Sequence, residues 1–262
     1  MTQKVSSSSL PSQDPQSVRI AIAEGGTLPT DADIVLLAGR AAFLPKTSTV
    51  VCSDVHLGKA ATFRHAGMPI PEGSAQQDLK RLSQIIQFCK AQRLVITGDL
   101  FHARSGCTAQ VLDEFCSFCE QVQISHDTQV TLVVGNHDQS LGKRFRPYEI
   151  GIERCEKEII EPPFRFVHNQ PIERDDQTTH FTIAGHIHPK VTISGSGRDR
   201  LTCRCFAATD RVLILPAFGS FTGGTPLANT DQMSIWLARD DDVFHLQGDD
   251  IVRKNTRIWP SV

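Results

Sequence analysis

Leu94-Val95-Ile96-Thr97-Gly98-Asp99 is the stretch whose reading decides the fold: an apolar, partly β-branched run that ends in a glycine and then a carboxylate. Such a run fits a strand buried on both faces, and the Gly-Asp step fits the chain leaving the sheet. The same shape recurs on either side. Val50-Val51-Cys52 runs into Ser53-Asp54-Val55-His56, and Val130 to Val134 runs into Gly135-Asn136-His137-Asp138. Between the first two runs, residues 74–92 place Leu79, Leu82, Ile85, Ile86 and Cys89 at helical spacing behind a polar first turn. Between the second and third, a helix over 108–123 gathers Val111, Leu112, Phe115, Phe118 and Cys119 on one side. Strand, helix, strand, helix, strand predicts a sheet covered by helices, with ligands gathering at the carboxyl ends of its strands.

Further out, strands are expected over 18–23 and 34–37. After Gly151 the helical signal fades, and strand-like runs follow at 165–167, 181–184, 191–193, 202–206, 211–215 and 234–237. A helix-rich half joined without a linker to a β-rich half predicts an α/β protein of two stacked mixed β-sheets flanked by helices. One domain is expected over 18–262. Residues 1–17, rich in Ser, Gln and Pro with no hydrophobic period, read as a flexible tail. No internal repeat is present.

A chain of 262 residues can bury a sizeable core, and 40% hydrophobic with 21% charged residues excludes wholesale disorder and fibrous repeats. No apolar stretch approaches the roughly 18 residues that span a bilayer, and the start lacks the apolar region of a secretion signal. No membrane association and a cytoplasmic location are therefore expected. The eight cysteines read as reduced, packing thiols rather than a disulfide framework. Cys116 with Cys119 and Cys203 with Cys205 could make a four-cysteine zinc site, but neither pair has the turn chemistry of a zinc knuckle. A net charge of -2 gives no global attraction to nucleic acid, so such binding would need a local patch or metal.

Each polar motif has a bland reading when taken alone. Asp54-Val55-His56 puts a carboxylate and an imidazole two residues apart, where an extended chain would face both the same way, but short triplets arise by chance. Asp99 after its strand could be a helix N-cap, and Gly135-Asn136-His137-Asp138 could be a tight turn. Gly185-His186-Ile187-His188 follows the run 181–184 and offers two imidazoles at a further strand end. Four such motifs, each at the end of an apolar run, make coincidence a poor account. Imidazole and carboxylate suit divalent zinc, iron and manganese. Two such ions need a bridging carboxylate, here Asp99, and would hold a hydroxide able to attack phosphorus near neutral pH. His137, oriented by Asp138, is the expected acid for the departing oxygen.

In this order the motifs resemble the calcineurin-like metallophosphoesterase superfamily, whose pattern is Asp-x-His, Gly-Asp, Gly-Asn-His-Asp/Glu, an isolated His and Gly-His-x-His. The resemblance covers Val50 to Pro189. It implies Asp54, His56, Asp99 and His188 on one metal, and Asp99, Asn136, His168 and His186 on the other. His180 competes with His168 for the isolated histidine, and His168 is favoured because it follows a strand-like run. The implied cofactors are two divalent metal ions, manganese first, with iron or zinc as alternatives.

Text around the motifs, Ser53 to Lys59 through Arg64, Gly98 to His102, and Leu215-Pro216-Ala217-Phe218-Gly219-Ser220-Phe221-Thr222-Gly223-Gly224, looks like the ligase-associated DNA damage response endonuclease (PdeM) family. That resemblance implies a nuclease of DNA repair working beside an ATP-dependent DNA ligase. Lys59, Arg64 and His102 are candidate substrate contacts. Lys143, Arg144 and Arg146 could track a nucleic-acid backbone or simply be solvated. The competing expectations are a phosphoesterase or pyrophosphatase of a small nucleotide-type substrate, and a scaffold that has lost catalysis. Against the scaffold, no catalytic position is missing. Oligomeric state is not legible.

Overall fold

The computed structural model describes residues 17–20, 33–141, 152–155, 157–169, 180–194, 200–227 and 233–246. The proposed tail lies outside them apart from Ser17, and Lys143, Arg144 and Arg146 lie outside them altogether. Among the described residues, seven strands in chain order make the first sheet: β1 Ser17–Ile20, β2 Ile34–Leu37, β3 Ala41–Leu44, β4 Thr49–Cys52, β5 Arg93–Thr97, β6 Gln129–Val133 and β7 Glu153–Cys155. β1 to β4 pair antiparallel, whereas β4 to β7 pair parallel. The parallel half is the strand–helix alternation predicted above.

Its crossovers are α1 Lys59–His65 with α2 Ser74–Cys89, and then α3 Ala109–His126. α2 ends at Lys90, which takes the left-handed conformation, three residues short of Arg93 where β5 begins. α3 starts where Thr108 caps it, its hydroxyl accepting from the Val111 N–H at 3.3 Å. α1 was not legible because its seven residues carry only one buried apolar side chain, Ala60.

The second sheet comprises β8 Glu158–Glu161, β9 Phe164–Val167, β10 Phe181–Ala184, β11 Pro189–Ser194, β12 Arg200–Ala208, β13 Val212–Ile214, β14 Thr225–Pro226, β15 Ser234–Ala238 and β16 Val243–Leu246. β10 lies parallel to both β9 and β13, with the remaining main pairings antiparallel apart from β11 and β14. This is the mixed double-sheet α/β sandwich expected from the sequence.

Alternation of side chains along the strands sends one set to each face. Val50, Cys52, Leu94, Ile96, Val130 and Leu132 pack with Leu82, Ile86, Phe115 and Val122 of α2 and α3. Leu36, Val51, Val95 and Val133 face the other way and meet Phe166, Ile183, Phe206, Leu213 and Trp236 between the sheets. No helix among the described residues is long and apolar enough to cross a membrane. The eight cysteines form no disulfide, and Cys116 with Cys119 and Cys203 with Cys205 form no metal-binding group among the described residues.

Candidate metal centre

The carboxyl ends of β4, β5, β6, β9 and β10 converge on one edge of the sandwich. The loops there continue the sheet pairing: the Asp54 N–H donates to the Gly98 carbonyl at 3.0 Å and the His56 N–H to that of Asp99 at 2.9 Å. Asp54, His56, Asp99, His186 and His188 all take positive φ, between 51° and 70°. Non-glycine residues seldom do so, because Cβ crowds the backbone, and here the conformation recurs at the proposed ligands. Asp54 and His56 thus converge through two left-handed residues, not through the extended chain that their spacing suggested.

Among the described residues three donor groups result, with ligand atoms inside each lying within 4.8 Å of one another: Asp54, His56 and His188; Asp99, His168 and His186; and, sharing His56 with the first, His56, His102 and His137. In the first, His188 Nε2 is 2.9 Å from Asp54 Oδ1 and 3.4 Å from His56 Nε2. In the second, His168 Nε2 lies 3.0 Å from Asn136 Oδ1, 3.1 Å from His186 Nδ1 and 3.3 Å from Asp99 Oδ2. Asp99 Oδ2 is also 3.9 Å from His56 Nε2 and 3.9 Å from His137 Nε2, so one oxygen faces the first two groups. His186 and His188 divide between the groups and do not point to one side. His168 belongs to the second group; His180 stands at the opposite, amino end of β10.

Burial sharpens the chemistry. Asp54 is 0% exposed; its Oδ1 lies 2.9 Å from His188 Nε2, and its Oδ2 accepts from the Ser53 hydroxyl at 2.7 Å and the His186 N–H at 2.9 Å. A buried carboxylate oxygen so placed, facing imidazole nitrogens, fits a bound cation. Burial pushes the Asp54 carboxyl up, but the His188 hydrogen bond and the charges of His188 and His168 outweigh it and bring it below its usual value. Asp99 ends low in the same way, burial being outweighed chiefly by its hydrogen bond and charge interaction with His168. Burial lowers His56 to about 3 and also lowers His186, leaving both neutral with lone pairs to offer. This oxygen and nitrogen donor set, without thiolate, fits divalent metal ions.

His137 sits at the rim, its Nδ1 hydrogen-bonded to the His102 carbonyl and its main-chain N–H donating to Asp99 Oδ1 at 2.9 Å. The expected contact of Asp138 with this imidazole is not made. The buried Asp138 carboxylate accepts from Gly135 N–H at 3.0 Å and Phe101 N–H at 3.2 Å, because the short helix Asn136–Gln139, α4, turns it back beneath the motif. Burial lifts that carboxyl to about 6. His102 joins the site, its ring stacked on that of His137 at 5.0 Å and its pKa lowered by burial to about 4.

Lys59, at the start of α1, lies within Coulombic range of Asp54 and Asp99, and its pKa is lowered, mainly by burial. Arg64 turns away: its guanidinium donates to the carbonyls of Ile70 and Pro71, at 3.5 and 3.2 Å.

Supporting residues had no signal in the sequence. Ser53 Oγ, which also donates to the Thr97 carbonyl at 2.8 Å, locks Asp54, and that same carbonyl holds His168 Nδ1 at 2.9 Å. A serine beside the ligand motif could have been flagged; the Thr97 carbonyl could not. Gly98 has φ +90°, and a Cβ there would collide with the His168 ring. A Cβ on Gly185 would strike Ser53 Oγ, so the two sheets approach each other closely at the site.

The family model described as calcineurin-like phosphoesterase matches residues 47–246. Among solved structures, the Pseudomonas putida nuclease MPE superposes with a TM-score of 0.70 at 27% identity, over 89% of this chain and 100% of that one. YfcE, a phosphoesterase from E. coli, aligns at 15% identity with a TM-score of 0.37, over 74% of this chain and 95% of that one. No curated protein sequence gives a match.

Proposed function

This chain belongs to the calcineurin-like phosphoesterase family, and from that premise we propose that it hydrolyses phosphodiester bonds of nucleic acid, DNA first, at a binuclear metal centre. At the coarser level it is a metal-dependent phosphoesterase. Asp54, His56, Asp99 and His188 would hold one divalent ion, and Asp99, Asn136, His168 and His186 the other. The observation that carries the binuclear reading is Asp99 Oδ2, which faces both donor groups at 3.3 Å from His168 Nε2 and 3.9 Å from His56 Nε2. Bound there, the ions supply an acidified water for attack on phosphorus and positive charge against the phosphate oxygens.

The chain's own residues do the rest. Ionised Asp54 and Asp99 balance part of the metal charge. His137 is held with Nδ1 on the His102 carbonyl, which leaves Nε2 facing the centre. From that atom it holds or gives the proton needed by the departing oxygen. Asp138 acts at one remove, by fixing the backbone that carries His137. Lys59 is placed to contact a substrate phosphate.

Nucleic acid as substrate is supported by the similarity to a nuclease at 27% identity, and DNA in particular by the resemblance described from the sequence. A role in repair and work beside an ATP-dependent DNA ligase rest on the resemblance carried by Ser53 to Arg64, Gly98 to His102 and Leu215 to Gly224, and manganese rests on the metallophosphoesterase resemblance. The test is a panel of single-stranded DNA, a bis-aryl phosphate and an aryl monophosphate with manganese, iron or zinc, alongside metal analysis of the protein. DNA cleavage and diester turnover with manganese are expected. Brisk small-molecule turnover without DNA cleavage would reject the nuclease, and cleavage undiminished by a chelator would reject the metal centre.

A further inference from the structure

The segment Phe218 to Gly224 takes no part in the metal centre, yet it is built with care. Arg204 of β12 donates to the carbonyls of Ser220 and Thr222 at 2.8 and 2.6 Å. Arg81 of α2 donates to the Phe218 carbonyl at 2.6 Å, and its guanidinium lies 4.3 Å over the Phe218 ring. Asp78, itself buried and paired with Arg81 at 2.8 Å, accepts from the Ser220 N–H and hydroxyl. The Phe218 and Gly219 N–H groups donate to the carbonyls of Ser53 and Asp54 at 2.9 and 3.1 Å. The loop and the metal centre therefore form one rigid unit.

What this scaffold displays is an aromatic ring in water, since Phe221 is 39% exposed. Phe221 packs edge-on against Phe63 at 5.6 Å, and Phe63 stacks on His102 at 6.3 Å and 22°. His102 in turn stacks on His137 at 5.0 Å and 24°. The near-parallel rings of His137, His102 and Phe63 thus lead outward from the proposed acid, and the exposed Phe221 meets the last of them edge-on. Lys59 and Phe63 lie four residues apart on α1, on one helical face, so a cation and a ring are presented together.

We propose that Phe63 and Phe221 form a wall that stacks the nucleobase next to the phosphate being cleaved. The inference rests on the nucleic-acid reading above and adds where the base is held. A base is a flat ring one sugar away from its phosphate, and it gains by stacking on aromatic side chains whatever its identity. The wall binds the base and takes no part in the chemistry.

The test measures kcat and KM with manganese on a short oligothymidylate and on an abasic tetrahydrofuran phosphodiester oligomer of equal length. The native protein should prefer oligothymidylate roughly tenfold in kcat/KM, mostly through KM. Phe63→Leu and Phe221→Leu should each move that ratio toward one, and Phe221→Trp should restore it. Two single variants on different elements keep the test decisive if one fails to fold. Equal cleavage of both oligomers by the native protein, or an unchanged ratio in the leucine variants, overturns the wall. Cleavage of neither oligomer beside turnover of an aryl diester overturns the nucleic-acid reading underneath it.

Discussion

As a proposed metal ligand, His168 would give up a proton on loading. Burial lowers its pKa, but the hydrogen bond to Asp99 and the charges of Asp54 and Asp99 overcome that and lift it to about 9. A metal ligand must be neutral, so loading at pH 7.5 should release that proton, and apparent affinity should rise with pH until about 9. His56 and His186 are already neutral and release none. Calorimetric titration with manganese in buffers of different ionisation enthalpy checks the release; a binding heat independent of buffer would contradict it. At His137, replacement by Ala should leave metal content intact while lowering kcat on a bis-aryl phosphate by about 10²- to 10⁴-fold. Asp99→Ala should instead lose metal. Normal turnover by the His137 variant would remove it from the acid's role. The imidazoles and carboxylates themselves were legible because each stands at the end of an apolar run.

At the scale of elements, the motif loops are held by backbone geometry that the residue types only partly announce. Asp138 ties α4 to the loop after β5 by accepting from the Phe101 N–H, and closes the start of its own helix by accepting from the Gly135 N–H. Asp138→Asn keeps one acceptor oxygen and should cost about 1–3 kcal/mol in urea unfolding. Because this carboxylate does not touch the His137 ring, the pH–rate profile should keep its shape, and a shifted profile would reinstate Asp138 as the orienting group. Helix boundaries for α2 and α3 were readable to within three residues at each end, owing to their apolar period and, for α3, the Thr108 cap. β3 was missed because Ala41-Ala42-Phe43-Leu44 is fully explained only by its pairing with β2 and β4. The left-handed residues at 54, 56, 99, 186 and 188 left no trace in the sequence either, since Asp and His are common in ordinary loops.

Over the whole molecule, the two sheets are joined by their shared core, by the donor cluster at their carboxyl edge and by a clamp. Arg40, buried in the turn between β2 and β3, pairs at 2.5 Å with the exposed Asp240 of the turn between β15 and β16, and its Nε and Nη1 have no hydrogen-bond partner among the described residues. Removing Asp240 would leave a buried charge without its acceptor, so Asp240→Ala should lower unfolding free energy by about 1–3 kcal/mol, discounted for the exposure of the carboxylate. No change in urea midpoint would show that solvent already compensates Arg40. Manganese bound across the sheets should raise the melting temperature, with about 2.7 kcal/mol expected at a hundredfold excess over Kd, and a chelator should reverse the shift. By itself the sequence determined the α/β order, the strand ends that carry chemistry and the metal-binding character of the donors, because hydrophobic period and side-chain chemistry are local properties. Only the tertiary structure decided that the donors converge through left-handed residues, that Asp138 supports backbone instead of His137, and that the Phe221 loop is fastened to the Asp54 motif. Those outcomes depend on contacts between segments far apart in the chain, and no local pattern encodes them.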